Sequence, residues 1–165
     1  MHQALCSILH AKNIKIIYAD LHNKNPLLEA YTLPQKQQII MDKSLLSRER
    51  QHKCVLAEEV GHILYPSPFD SIQYHIAEYW DYDFYQRGYI SYRHVKSERA
   101  ALLWATSFLI SDKEFWDFAN QGPHEWWEWL EHFDVEDWFM RRKIGFLRTK
   151  QRFRWRDAIA RAQSG

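Results

Sequence analysis

Glu58, Glu59 and His62 stand in the stretch AEEVGHIL, with Glu58 and His62 four residues apart. On a helix, positions i and i+4 project from one face. A carboxylate and an imidazole placed in this way can grip one divalent cation. The carboxylate of Glu59 then lies where it could take a proton from water activated by that cation. Helices of the His-Glu-x-x-His type use this geometry to hold zinc, with histidine at the first position. Here Glu58 takes that position. The pair alone is not decisive, because an ordinary surface i,i+4 pair has the same spacing. A third ligand has to arrive from another part of the chain.

The elements that must position these groups can be traced in the pattern of apolar residues. Residues 48–64 carry Val55, Leu56, Val60, Ile63 and Leu64 at helical spacing, and Pro66 and Pro68 follow. This predicts a helix of about four turns, with Ser47 as its N-cap. A second long helix is predicted over 93–110, with Ala101, Leu102, Ala105, Phe108 and Leu109 on its apolar stripe. Upstream, residues 3–11 suit a helix. The runs 14–18, 28–33 and 38–41 read as three short strands of a small, antiparallel sheet. Downstream, KEFWDFAN, HEWWEWLEHF and WFMRRKIGFL read as short helices, the last entered through the acidic turn Asp134-Val135-Glu136-Asp137. Residues 67–90 are aromatic and irregular and receive no assignment. The expected fold class is α+β.

Two motifs taken together resemble the ImmA/IrrE family of zinc-dependent metallo-endopeptidases. The first is CVLAEEVGHIL; the second, SERAALLWATSFLIS, supplies Glu98, Ala101, Trp104, Ala105, Leu109 and Ile110 in the order the family uses. The similarity extends upstream through QQIIMDKSLLS and downstream through FDVEDWFMRRKIGF, and covers roughly residues 1–147. It implies a zincin-like pair of helices beside the small sheet, followed by C-terminal helices. It also implies roles: Glu58, His62 and Glu98 as metal ligands, Glu59 as general base, and zinc as the metal. The substrate implied is a helix-turn-helix repressor of a phage or mobile element, with derepression as the outcome.

Glu58 departs from the family pattern, in which most members have histidine. With a divalent ion, the set Glu58, His62 and Glu98 is formally neutral, whereas a site of two histidines and one glutamate carries a positive charge. A more neutral centre acidifies water less. An oxygen-rich set also narrows the preference for zinc over manganese or iron. His94, four residues before Glu98, would share its face if the helix already runs there; the other reading is a surface histidine near the helix start. An alternative function is therefore open, in which the same fold holds a repressor or toxin partner without cutting it.

Charge divides the chain. Residues 141–165 hold nine Lys/Arg against one acid, Asp157, while residues 1–140 hold thirteen Lys/Arg against twenty Asp/Glu. The segment 148–165 is accordingly set apart as a basic tail after a domain of residues 1–147. It either solvates itself, lies on the acidic body or meets an acidic partner. The interleaving in Arg152-Phe153-Arg154-Trp155-Arg156 also resembles a nucleic-acid contact segment. Nine aromatics within 115–139 read as core packing, or as a groove for an extended peptide. His124 and His132 flank that cluster, and most of the histidines outside the two motifs are expected at the surface.

Composition excludes several classes. Among the 165 residues, 46% are hydrophobic, 26% charged and 16% aromatic, which argues for one globular domain and against disorder. No apolar run reaches the roughly 18 residues of a membrane span. The start MHQALCSILHAKN lacks the basic and apolar regions of a secretory leader. Two cysteines, Cys6 and Cys54, are too few for a disulfide framework or a cysteine-rich zinc site and suit a reducing compartment. A cytoplasmic location without membrane association is the expectation.

Overall fold

The computed structural model describes residues 3–23, 25–66, 73–76 and 92–163, with 73–76, 92–95 and 152–163 described by backbone alone. The chain is mixed α+β. It runs α1 (Gln3–Ala11), β1 (Lys15–Ala19), β2 (Leu28–Leu33), β3 (Gln38–Asp42), α2 (Glu49–Leu64), β4 (Gln73–Ile76), α3 (Tyr92–Leu109), α4 (Asp112–Ala119), α5 (Trp126–Phe133) and α6 (Asp137–Gln163). No helix among the described residues is long and apolar enough to cross a membrane. Of the stretch 67–90, only β4 falls within the described residues.

The sheet differs from the antiparallel one expected. Its strand order is β1-β3-β2-β4, and β1 pairs with β3 in parallel, Lys15 opposite Gln38 and Ala19 opposite Asp42. The pairs β2–β3 and β2–β4 are antiparallel. The reason lies in β3. Its Ile39, Ile40 and Met41 are all buried, so both of its faces need cover. It inserts between β1 and β2 instead of leaving them to form a hairpin, and a parallel pairing of that kind suits a strand covered on both faces. A 3-10 turn at Pro34–Lys36, closed by Gln37 in the left-handed region, links β2 to β3. Proline presets its first position.

Asp42 fastens this arrangement. Its carboxylate accepts hydrogen bonds from Leu21 N at 2.7 Å, His22 N at 3.2 Å and Ser44 N at 2.8 Å, joining the end of β3 to the turn after β1. Burial raises its pKa, but Ser44, Leu21 and His22 outweigh burial and hold it at about 2, against an ordinary 3.8. A depressed carboxylate contributes stability that is present above its unfolded pKa and is lost as pH falls through its folded pKa. The shift corresponds to about 2 kcal/mol. Asp42→Asn is therefore expected to lose about 2 kcal/mol at neutral pH and to flatten the acid decline in stability between pH ~4 and ~2. Urea denaturation across that range checks it. An undiminished acid decline in the variant would assign that decline to other groups.

Between Asp42 and α2 the chain forms a 3-10 turn over Lys43–Ser47, capped by Asp42 itself. Ser47 thus ends this turn, and Arg48 occupies the N-cap of α2 without a side-chain hydrogen bond. The Ser47 hydroxyl instead donates to Ser44 O at 3.0 Å within the turn. Asp134 likewise closes α5 in the left-handed region rather than opening α6.

The core lies between the sheet, α2 and α3, with α1, α5 and α6 completing it. Leu5, Ile39, Met41, Leu56, Val60, Ala105, Phe139 and Met140 belong to one buried cluster. The aromatic stretch contributes to this core through Phe115, whose ring lies tilted to Trp129 at 4.9 Å and stacked with Phe133 at 6.4 Å between centroids. His124 and His132 stack on Phe118, which is consistent with histidines at the rim of a core. α6 runs without a break from Asp137 to Gln163, so the division at 147/148 falls inside a helix.

Candidate metal centre

Helix α2 is buried on every side across its middle: each residue from Cys54 to Ile63 is buried. Most of that run is apolar, but Glu58, Glu59 and His62 are not. Charged groups in a protein interior are costly without compensation, so three such residues within one buried helix mark a site built for them.

The helix can lie so deep because of Gly61. A Cβ at this position would stand 2.6 Å from Ala101 O and 3.0 Å from Ala101 C and Cα, all backbone atoms of α3. Glycine lets α2 and α3 cross in direct backbone contact. Glu98 precedes Ala101 by three residues, hence about one turn, and the crossing brings it toward His62.

Glu58, His62 and Glu98 each offer a ligand atom, and the three lie within 4.8 Å of one another. His62 Nε2 is 3.9 Å from Glu58 Oε1 and 3.6 Å from Glu98 Oε2. Ligands about 2.1 Å from a tetrahedral ion lie about 3.4 Å apart, so small side-chain adjustments close the set. Two carboxylate oxygens and one imidazole nitrogen suit zinc, and also manganese or iron. Glu58 and His62 are buried, while the Glu98 side chain retains 18% exposure, which places the solvent side of the centre at Glu98.

Glu59 is fully buried, and its Oε2 accepts a hydrogen bond from Thr32 Oγ1 on β2. The neighbouring carboxylates thus diverge by the helical step, Glu58 toward α3's Glu98 and Glu59 toward the sheet. α6 adds a cation. Arg142 is half-buried; burial lowers its pKa, and the charge of Glu58 acts in the opposite direction. The Arg142 guanidinium thus adds positive charge within electrostatic range of Glu58.

The structure brings together the three residues assigned as ligands. The side chain of His94 lies outside the described residues. His52 is an exception among histidines mostly expected at the surface: it is buried, with its Nε2 2.8 Å from Tyr18 Oη, and burial pushes its pKa down. Its position on the sheet-facing side of α2 accounts for the difference. Thr32, Gly61 and Arg142 were not singled out in the sequence. Thr32 had one faint signal, a polar residue on the inward alternation of LEAYTL. Gly61 had another, glycine within a helical stretch, where it is unfavourable unless packing requires it. Arg142 was obscured by the basic run around it.

Comparisons with protein families, with curated proteins and with solved structures returned no match.

Proposed function

We propose that this chain is a metal-dependent endopeptidase similar to the ImmA/IrrE proteins, with a zincin-like helix pair, acting on a helix-turn-helix repressor in the cytoplasm. The observation that carries the reading is the convergence of Glu58 and His62, on the helix that also holds Glu59, with Glu98 on α3, 36 positions further along the chain than His62. A divalent ion held by these three residues would supply Lewis-acid polarisation of a carbonyl and lower the pKa of water. Glu59 would take a proton and later pass it to the leaving amine. The Thr32 hydroxyl orients the Glu59 carboxylate through Oε2. Arg142, close enough for the charge of Glu58 to act on it, would limit the repulsion between Glu58 and Glu98.

A second reading has two observations in its favour: Glu58 occupies the first ligand position, and Glu59 is engaged with the sheet through Thr32. In that reading the fold binds a repressor or toxin partner without cutting it. Incubation with a purified helix-turn-helix repressor, with zinc or with chelator, separates the two. Zinc-dependent cleavage supports the peptidase. Complex formation without cleavage supports the binding module, and neither result would leave the repressor reading without support.

Glu58→His is expected to tighten zinc binding about tenfold, a change of about 1.4 kcal/mol, because imidazole suits zinc better than a second carboxylate. Competition titration against a chromogenic chelator measures it. Equal or weaker affinity would mean that Glu58 is not a zinc ligand.

A further inference from the structure

A second feature lies on the other flank of α3. Arg99, Leu103, Asp112, Lys143, Phe146 and Lys150 border a cleft of about 400 Å³ between α3, α4 and α6. Its charge is unbalanced. Asp112 is the one acid on its lining, and its two carboxylate oxygens accept from Lys143 Nζ and Lys150 Nζ, both at 2.6 Å. Lys143 has 1% side-chain exposure, so its ammonium is committed to Asp112. A buried ammonium that lost its carboxylate would be strongly destabilising. Lys150, at 65% exposure, shares a carboxylate already neutralised and can turn outward. Arg99 pairs with no acid among the described residues; its guanidinium lies over the Phe146 ring, 5.1 Å from the centroid. Arg99 and the exposed Lys150, which shares Asp112 with Lys143, thus stand at the rim of the cleft, with the buried Lys143–Asp112 pair beneath them.

Between those cations the wall is apolar. Leu103 is 44% exposed and lies one helical turn beyond Arg99 on α3. Phe146 continues the wall on α6. A surface that reads only phosphates needs no such wall, since backbone phosphate contacts come from spread cations that reach solvent. A cationic rim around an apolar floor matches carboxylates flanking an apolar side chain.

We infer that this cleft is a docking site for an acidic segment of a protein partner, one in which glutamates or aspartates flank a leucine or phenylalanine. Arg99 and Lys150 would meet the carboxylates, and Leu103 and Phe146 the apolar side chain. The inference is independent of the metal centre and holds whether or not a peptide bond is cut.

Fluorescence anisotropy on the full chain tests it, using a labelled peptide in which glutamates flank a leucine and a phenylalanine. The peptide is expected to bind at low salt and to weaken as salt rises, because exposed charges are screened over about 8 Å at physiological ionic strength. Lys150→Glu and Arg99→Glu are each expected to weaken it about tenfold. Leu103→Ser is expected to weaken it about threefold to tenfold through lost apolar burial. All three positions are exposed, and an unchanged melting temperature verifies that each variant folds. The same peptide with lysine in place of glutamate should not bind. Peptide affinity unchanged in the Arg99, Lys150 and Leu103 variants would overturn the proposal. So would tighter binding of a single-stranded oligonucleotide than of the peptide, which would assign the cations to phosphates.

Discussion

Glu59→Gln protein is expected to fold and, on the peptidase reading proposed above, to bind zinc as the parent does and to cleave about 10²–10⁴ times more slowly, the usual contribution of a positioned proton-transfer group. Glutamine has nearly the shape of glutamate, and its carbonyl oxygen can accept the Thr32 hydroxyl that Glu59 Oε2 accepts. What it lacks is a basic carboxylate. The cost to stability is confined to placing one amide NH₂ in a fully buried position, about 1–3 kcal/mol where it finds no acceptor. Melting curves, zinc titration and cleavage rates on the same preparation measure the three quantities separately. A fall in melting temperature that accounts for the lost activity would make Glu59 a structural residue, tying α2 to β2.

Gly61→Ala is expected to destabilise the protein by about 2 kcal/mol. Alanine is the better helix former, by about 1 kcal/mol in an unobstructed helix. Here that gain is overridden. Its Cβ would stand 2.6 Å from Ala101 O, and the atoms in the way are backbone, which cannot rotate aside as a side chain can. Overpacking costs about 1–3 kcal/mol, and a backbone obstacle places the cost at the upper end. For a chain of this size the net loss lowers Tm by about 4–8 °C. A second effect follows from position. Relief of the clash moves α3 away from α2, and Glu98, one turn from Ala101, moves away from His62, now 3.6 Å distant. Zinc affinity should therefore fall in the same variant, although residue 61 is not a ligand. Unchanged stability together with unchanged zinc affinity would mean that the two helices do not touch at this point.

The parts of this fold that could be read in the sequence are those set by local periodicity. Val55, Leu56, Val60 and Ile63 recur at helical spacing, so α2 and the shared face of Glu58 and His62 follow directly. The arrival of Glu98 does not follow from spacing. It depends on where α3 crosses α2, which Gly61 decides through a contact between residues 40 positions apart. The paired-motif resemblance anticipated it on other grounds. The sheet was legible as strands but not as a topology, because the pairing of β1 with β3 is non-local and rests on β3 needing cover on both faces. The basic C-terminal stretch concealed two individual roles. Lys143 is a buried partner of Asp112 and Arg142 is a neighbour of Glu58, and neither differs in type from the solvated cations beside it.

Anomalous scattering at the zinc edge, from crystals of the zinc-loaded protein, locates any metal held between α2 and α3. One strong peak is expected there, about 2.0–2.2 Å from a carboxylate oxygen of Glu58, from Nε2 of His62 and from a carboxylate oxygen of Glu98, and lost in His62→Ala crystals. Zinc bound only at other histidines, with no peak between Glu58 and Glu98, would contradict the assignment of these three ligands.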